Sequence, residues 1–168
     1  IDGAHGLAGG TALIMFGGIA LAAGWTGDAA TLHEALVVMG ALVGFLAWNY
    51  PRGRVFLGDA GAYFIGFMYA ELSIQLIAHN PDLSAWYVIM LAGYPIVDTL
   101  FAMYRRGVVR RVPLMEPDAL HLHSLVFRRV AMPIERRQKR WSLRRANARV
   151  APRLWLHSAL CLALAVLF

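Results

Sequence analysis

The sequence predicts an all-α, polytopic membrane protein, and its composition is the first observation behind this prediction. Of its 168 residues, 59% are hydrophobic and only 15% are charged, with a mean hydropathy of +0.54. A soluble domain of this length carries about a quarter charged residues. Several apolar stretches also reach the roughly 20 residues that a helix needs to cross a bilayer. We therefore expect a transmembrane helical bundle.

Hydropathy divides the chain into about five spans within one integral-membrane domain that covers residues 1–168. The predicted spans are residues 7–25, 32–48, 60–78, 85–104 and 154–168. Glycines in the spans permit close contact between helices, and Gly40 and Gly44 fit the small-xxx-small pattern. The chain lacks an initiator Met, opens in a glycine-rich motif and stops inside an apolar run. We therefore expect it to be a fragment of a larger membrane protein.

Basic residues are concentrated in two of the connections between spans, which predicts the orientation of the chain. Of the 16 Lys and Arg residues, 14 lie in the long connection 105–153, and Arg52 and Arg54 lie in the connection 50–59. The two remaining connections contain none. Because positively charged connections stay on the cytoplasmic side, we expect the start of the chain and both basic connections to face the cytoplasm.

The connection 50–59 ends in an acidic residue between glycines, in the segment Phe56-Leu-Gly-Asp-Ala-Gly61. Glycine lets a backbone approach a ligand closely, and the free N–H groups at the start of the third helix, near Ala60, favour a bound phosphate. The Asp59 carboxylate would repel that phosphate unless Mg²⁺ lay between them, and Mg²⁺ is typically held by one or two carboxylates plus substrate phosphates. The alternative is a solvated turn in which Asp59 caps the helix.

Two histidines in the long connection, His121 and His123, are the second candidate for chemistry. Asp118 is the predicted N-cap of a helix that places His121 in its first turn, with Arg128 two turns later on the same face. The dipole at a helix N-terminus opposes protonation, so such an imidazole can hydrogen-bond a phosphoryl oxygen or relay a proton. A zinc site is the alternative, but no cysteine or third histidine stands nearby.

The stretch 136–145 is strongly basic and contains one tryptophan, Trp141. Basic runs beside a membrane span contact anionic lipid headgroups more often than nucleic acid. We therefore expect membrane lipid as a partner of this stretch, and no nucleic acid.

Short motifs connect these candidates into one pattern. They are Asp-Gly-x-x-Gly-Leu at residues 2–7, Asn-x-Pro…Phe-x-Gly-Asp-x-Gly at 49–61, Tyr-Pro-x-x-Asp-Thr at 94–99 and Pro-Asp-x-x-His-Leu-His at 117–123. In this order the pattern resembles the polyprenyl-phosphate N-acetylhexosamine-1-phosphate transferase family, which includes the O-antigen-initiating enzymes and the muramyl-pentapeptide transferase. The resemblance covers nearly the whole chain and depends on the combination, because each motif alone is common.

The resemblance implies a reaction and a place for it. The expected reaction transfers N-acetylhexosamine-1-phosphate from a UDP-N-acetylhexosamine to undecaprenyl phosphate and releases UMP, which initiates cell-envelope polysaccharide synthesis. The expected cofactor is Mg²⁺, with Mn²⁺ as the alternative metal. The expected location is the cytoplasmic face of the bacterial inner membrane, and a homodimer is a further expectation.

The resemblance also implies residue roles. The implied metal ligands are Asp59 and Asp2, and the implied catalytic residues are Asp2, Asp59, His121 and His123. Asn49 is implied to help form the nucleotide and metal site. Beside the resemblance, we expect His5, Asn49 and Arg128 to bind substrate. Accordingly, we expect Asp2, Asn49, Asp59 and His121 to converge on one cytoplasmic cleft.

The chain departs from the family pattern at three points. His5 stands where many members have a second aspartate, and Ser124 replaces a third histidine. The family's paired aspartates would lie upstream of Ile1, so we expect the isolated chain to be inactive.

Two other functions remain open from the sequence. One is an ion or solute transport bundle in which Glu71 and Asp98 are the working charges, and the other is a non-catalytic scaffold. A transporter is expected to bind near the membrane midplane, whereas the polar candidates here cluster at one membrane face. That placement favours the enzyme.

Overall fold

The computed structural model describes residues 4–110, 121–136 and 142–167, and every regular element in these three ranges is helical. The α-helices described there are α1 (Leu7–Thr26), α2 (Ala29–Asn49), α3 (Gly58–His79), α4 (Ala85–Leu91), α5 (Gly93–Tyr104), α6 (Leu122–Val126), α7 (Met132–Arg136), α8 (Leu143–Ala148) and α9 (Val150–Leu167). Two π-helical turns, Arg105–Arg110 and Phe127–Ala131, follow α5 and α6. The predicted all-α class is confirmed.

Four helical stretches are long and apolar enough to cross a membrane: Leu7–Thr26, Ala29–Asn49, Gly58–His79 and Leu143–Leu167. A fifth crossing is added if the bent pair α4 and α5 counts as one span. The first three helices agree with the predicted spans to within three residues at either end. The chain is therefore a polytopic membrane bundle, as its hydropathy predicts.

The predicted fourth span, 85–104, is not one straight helix. It breaks into α4 and α5, which form an angle of 69°. Pro95 explains the break, because a proline ring within a helix clashes with the carbonyl group four residues earlier. That residue is Leu91, the last residue of α4. α5 therefore runs in a different direction from α4.

The last membrane helix begins earlier than predicted, and the described parts of the connection 105–153 are largely helical. α9 starts at Val150 rather than Leu154, and the apolar stretch continues back through α8. The arginines between residues 143 and 153 lower the hydropathy of this segment, which is why the helix start at Val150 was not predicted. In the structure Arg153 donates from Nη1 to the carbonyl oxygen of Arg149 at 2.5 Å. Long basic side chains at a helix end cover apolar surface while their charge stays near water.

α1 is the central helix of the bundle and packs against α2, α3, α4 and α9. Its Gly10 marks a close crossing, since a Cβ atom there would overlap the indole of Trp155 on α9. A Cβ atom on Gly40 or Gly44 would meet no atom of the described chain within 4 Å. The close contact predicted at these two glycines is therefore not made here, where both lie on the exposed face of α2.

Buried apolar side chains form two clusters along the bundle. One lies between the first four helices and α9 and includes Phe16, Ile19, Leu72, Leu76 and Leu91. The other joins the start of α1 to α5 and to the start of α9 and includes Leu7, Tyr94, Val150 and Leu154. Leu122, Val126 and Phe127 pack against this second cluster. We call the end of the bundle that contains the second cluster the site end.

The opposite end is closed by polar contacts around Asp28, which caps α2. Its Oδ1 accepts from the backbone N–H of Thr31 at 3.2 Å, and its Oδ2 accepts from the Thr31 hydroxyl at 2.6 Å. The Nδ1 atom of His79, at the end of α3, lies 3.0 Å from Oδ2. Burial raises the pKa of Asp28, but these hydrogen bonds outweigh it and hold the pKa below the usual 3.8.

Candidate active site

Asn49 ties the start of α1 to the connection that precedes α3. The residue is 3% exposed. Its Oδ1 accepts a hydrogen bond from the Gly6 N–H at 2.5 Å, and its Nδ2 donates to the carbonyl oxygen of Val55 at 2.6 Å. Because the oxygen and the nitrogen of this side-chain amide are both hydrogen-bonded to backbone groups of the chain, Asn49 positions these two segments. Its predicted contact with substrate stays a prediction.

His5 is buried at the site end and is held from three sides. Its backbone N–H donates to Oδ1 of Asn147 on α8 at 2.7 Å, and its ring Nδ1 lies 3.1 Å from the carbonyl oxygen of Pro51. The ring meets Phe56 edge-on, with centroids 5.9 Å apart. A side chain at Gly53, whose φ is +58°, would overlap the imidazole. His5 thus packs the connection 50–57 against α8, and its predicted contact with substrate stays a prediction.

Asp59 lies in the first turn of α3 and is exposed. The helix begins at Gly58, whose φ of +67° is a conformation that glycine adopts readily. The N-cap position belongs to Leu57, which makes no side-chain cap hydrogen bond. The alternative in which Asp59 caps the helix is therefore wrong, and the helix starts two residues before the predicted Ala60. A carboxylate in the first turn is stabilised by the helix dipole.

The predicted metal site depends on Asp59 together with Asp2. Asp2 lies outside the described residues, so the pair stays a prediction. Within residues 4–110, 121–136 and 142–167, no three His, Cys, Asp or Glu side chains lie together as a metal site. The exposed Asp59 carboxylate nonetheless fits Mg²⁺, which takes oxygen ligands and often only one or two from protein.

Asp98 is a further residue of this site, for which the sequence predicted no catalytic, substrate-binding or metal-binding role. The residue is 4% exposed. Its Oδ1 accepts a hydrogen bond from the Leu122 N–H at 2.8 Å, and its Oδ2 lies 3.5 Å from Nδ1 of His121. One signal in the sequence pointed to it, because a charged residue inside an apolar span is costly and usually has a partner. The transport alternative treated Asp98 as a working charge, whereas here it caps a helix.

The prediction that His121 lies in the first turn of a helix is wrong. His121 is the N-cap, with extended backbone (ψ 161°), and α6 begins at Leu122. The predicted cap, Asp118, lies outside the described residues. The helix N-terminus instead receives its cap oxygen from Asp98, which a local sequence pattern cannot indicate. His121 is therefore positioned by a residue of the preceding membrane helix.

The rings of His121 and His123 are stacked, with centroids 5.6 Å apart and an angle of 6° between their planes. The pKa of His123 is lowered to about 4, mainly by burial; the Asp98 carboxylate opposes this shift, and the adjacent His121 contributes to it. His123 is consequently neutral at pH 7. Its Nδ1 is buried and has no hydrogen-bond partner in the part of the chain that the structure describes. A buried nitrogen in this state can bind a polar ligand atom.

Arg128 is exposed in the π-helical turn Phe127–Ala131. The 3.6-residue period that placed Arg128 on the same face as His121 does not hold across a π-helical turn. Its predicted contact with substrate therefore stays a prediction. π-Helical turns are frequent at functional sites.

The candidate residues thus form two groups at the site end. One consists of His5, Asn49 and the connection that leads to Asp59, and the other consists of Asp98, His121 and His123. Tyr50 and Leu122, which directly follow Asn49 and His121, both pack against the second apolar cluster. The two groups therefore adjoin the same core. The convergence of Asp2, Asn49, Asp59 and His121 on one cleft stays a prediction, since Asp2 is not described.

Comparison with known proteins identifies relatives of this chain. A protein of Bacillus subtilis named "Probable undecaprenyl-phosphate N-acetylglucosaminyl 1-phosphate transferase" is 36% identical over 124 residues, which are 73% of this chain and 34% of that protein. A "Phospho-N-acetylmuramoyl-pentapeptide-transferase" of Oceanobacillus iheyensis is 35% identical over 128 residues, 73% of this chain and 36% of the relative. A "Decaprenyl-phosphate N-acetylglucosaminephosphotransferase" of Mycolicibacterium smegmatis is 34% identical over 144 residues, 73% of this chain and 35% of the relative.

The chain spans about a third of the length of these curated relatives. No solved structure matches it significantly. The model of the family described as "Glycosyl transferase family 4" matches residues 1–77, which include α1, α2 and the Asp59 segment. The family model and the relatives together support the assignment of the chain to glycosyl transferase family 4.

Proposed function

We propose that the protein containing this chain transfers N-acetylhexosamine-1-phosphate from a UDP-sugar to a polyprenyl phosphate, with undecaprenyl phosphate as the acceptor. The observation that carries the proposal is the set of relatives. Two of their names join undecaprenyl or decaprenyl phosphate to N-acetylglucosamine, and a third names a phospho-N-acetylmuramoyl-pentapeptide transferase. The placement of Asp59, Asp98, His121 and His123 at one end of the bundle supports it. The product would be the first lipid-linked sugar of a cell-envelope polysaccharide.

In the proposed reaction, an oxygen of the acceptor phosphate attacks the phosphorus that bears the sugar. The bond from that phosphorus to the UMP oxygen breaks, so a new diphosphate forms and UMP leaves. Asp59 and Asp2 would hold Mg²⁺ against the substrate diphosphate. When bound, Mg²⁺ supplies charge neutralisation of the phosphoryl oxygens and of the leaving group.

The two histidines would contact the phosphates from the other side of the site end. Asp98 lies beside Nδ1 of His121, so the Nε2–H of the doubly protonated imidazolium would donate a hydrogen bond to a phosphoryl oxygen. The neutral His123 would act through a hydrogen bond rather than through charge, since burial lowers its pKa to about 4. Orienting polar groups toward a developing charge is an effective means of stabilising a transition state.

The site end would face the cytoplasm. The connection 50–59 and the described parts of the connection 105–153 adjoin this end, and basic connections remain on the cytoplasmic side of bacterial inner membranes. A nucleotide sugar and UMP would then be exchanged directly with the cytoplasm.

The proposal is tested with the full-length protein, Mg²⁺, UDP-N-acetylglucosamine and undecaprenyl phosphate in detergent. Asp59→Asn should lower formation of the lipid-linked sugar on the order of a hundredfold or more, because the amide is a poor Mg²⁺ ligand. The matched control is Asp82→Asn, an exposed acid at the opposite end of the bundle, which should leave turnover unchanged. Wild-type turnover in folded Asp59→Asn protein would refute the assignment of Asp59.

A further inference from the structure

Four arginines from two distant parts of the chain line one cleft at the site end. The cleft has a volume of about 410 Å³ and is lined by Pro51, Arg52, Arg54, Arg144, Arg145 and Ala148. Arg52 and Arg54 come from the connection between α2 and α3, whereas Arg144 and Arg145 come from α8. We call it the arginine cleft.

Both walls of the arginine cleft are held in place by hydrogen bonds to other parts of the chain. On one side, the carbonyl oxygen of Pro51 lies 3.1 Å from the ring of His5, and the Arg54 N–H donates to the Trp48 carbonyl oxygen at 3.1 Å. On the other side, Asn147 of α8 accepts from the backbone of the same His5 at 2.7 Å. One buried histidine therefore links the two walls, and the arginines are brought together by the fold rather than by flexible side chains alone.

The positive charge of the arginine cleft is only partly neutralised within the chain. Arg145 lies 3.7 Å from the buried carboxylate of Glu135, which also pairs with Arg149 at 3.2 Å. Among the described residues, no carboxylate forms an ion pair with Arg52, Arg54 or Arg144. Neighbouring like charges repel one another, so an anion in the cleft would stabilise the arrangement. Guanidinium groups bind phosphate in a bidentate geometry.

The arginine cleft lies at the level where a membrane helix meets water. Arg54 lies over the ring of the exposed Trp48 in the last turn of α2, 5.9 Å from the ring centroid. Arg144 and Arg145 are the second and third residues of the apolar stretch Leu143–Leu167. Tryptophan and basic residues at the ends of membrane helices mark the headgroup region, and basic pockets there bind anionic lipid headgroups.

We propose that the arginine cleft, formed by Arg52, Arg54, Arg144 and Arg145, binds the phosphate group of an anionic lipid headgroup. Asp98, His121 and His123 do not line the cleft, and the proposal does not depend on the transferase reaction. Phosphate in solution has the same chemistry, so the test includes both sources. A bound headgroup would hold α8 and the connection 50–57 against the membrane surface.

The test measures lipid binding to the full-length protein in detergent by native mass spectrometry, with phosphatidylglycerol as the anionic probe and phosphatidylcholine as the neutral one. The double variant Arg52→Gln/Arg144→Gln should weaken phosphatidylglycerol binding on the order of tenfold. The control is Arg129→Gln, an exposed arginine outside the cleft, which should bind as the wild type does. An equal loss in the control would overturn the proposal, because it would indicate general attraction by positive charge.

A second arm replaces the lipid with inorganic pyrophosphate. Binding of pyrophosphate that competes with phosphatidylglycerol and is lost in the double variant supports a phosphate site in the cleft. If the folded double variant binds both probes as tightly as the wild type does, the proposal fails. Asp59→Asn, which tests the proposed transferase function, should keep full phosphatidylglycerol binding. Failure of the lipid-binding proposal can therefore be distinguished from failure of the transferase function.

Discussion

The Oδ1 atom of Asp98 accepts a hydrogen bond from the backbone N–H of Leu122 at 2.8 Å. A carboxylate on α5 thereby caps α6, which is a separate helix of the long basic connection. The other oxygen of the same carboxylate lies 3.5 Å from His121. Asp98 therefore couples the position of the histidine pair to the membrane helix beyond the bend, and we regard it as a positioning residue.

Replacing Asp98 should separate its two effects. Asp98→Ala removes the cap and is expected to lower stability by about 1–2 kcal/mol. Asp98→Asn keeps an oxygen for the Leu122 N–H, so it should retain most of the stability. It loses the negative charge beside His121, so it should still lower turnover.

The measurement combines thermal unfolding in detergent with turnover of the full-length protein. If Asp98 is a positioning residue, the melting temperature of Asp98→Asn should be close to that of the wild type. Its turnover should recover less, and stay nearer to that of Asp98→Ala. Should both variants melt and react as the wild type does, neither the cap nor the contact with His121 matters.

His123 should make the protein less stable in mild acid. Its pKa is usually 6.5 but is lowered to about 4 in the folded chain, mainly by burial. Below about pH 6.5 the unfolded chain therefore binds a proton that the folded chain does not yet take up. Stability is lost as the pH falls from about 6.5 to about 4, and changes no further through this group below that range.

His123→Gln removes this titration and keeps a polar side chain of similar size. The melting temperature of the variant should consequently fall less between pH 7 and pH 5 than that of the wild type. His33→Gln, at an exposed position on α2, should retain the wild-type dependence. Parallel curves for the wild type and His123→Gln would show that His123 is not buried in its neutral form.

The long helices were predictable because hydropathy is a local property of the sequence. A turn before the third helix was predictable from the glycines around Asp59, although α3 starts two residues before the predicted Ala60, at Gly58 with its positive φ. The break before Pro95 follows from a rule that can be applied to the sequence, the clash with the carbonyl of Leu91. It was missed because the hydropathy of residues 85–104 is continuous.

The partners of Asp98 and His5 were not predictable. Asp98 bonds a residue 24 positions later, and His5 bonds one 142 positions later. Nothing in a local motif specifies such partners, because they arise when whole helices pack. The same holds for the arginine cleft, whose two walls are adjacent only in the folded chain. Local pattern thus indicated candidate residues, and packing determined what they contact.

Gly10 should tolerate no side chain, because α9 crosses α1 there. A Cβ atom would overlap the Trp155 indole, whose N–H donates to the carbonyl oxygen of Gly6 at 3.1 Å. Gly10→Ala is therefore expected to displace Trp155, break this hydrogen bond and lower stability by about 1–3 kcal/mol. Because Gly6 also bonds Asn49, the displacement would reach the connection before Asp59, and turnover should fall as well.

Gly24→Ala is the matched control for Gly10→Ala, since it lies on the same helix and a Cβ atom there meets no atom of the described chain within 4 Å. Alanine is the better helix former, so this variant should be as stable as the wild type or slightly more so. Thermal unfolding in detergent measures both variants. If Gly10→Ala unfolded at the same temperature as Gly24→Ala, α1 and α9 would not be in close contact at this crossing, and Trp155 could not hold the start of α1.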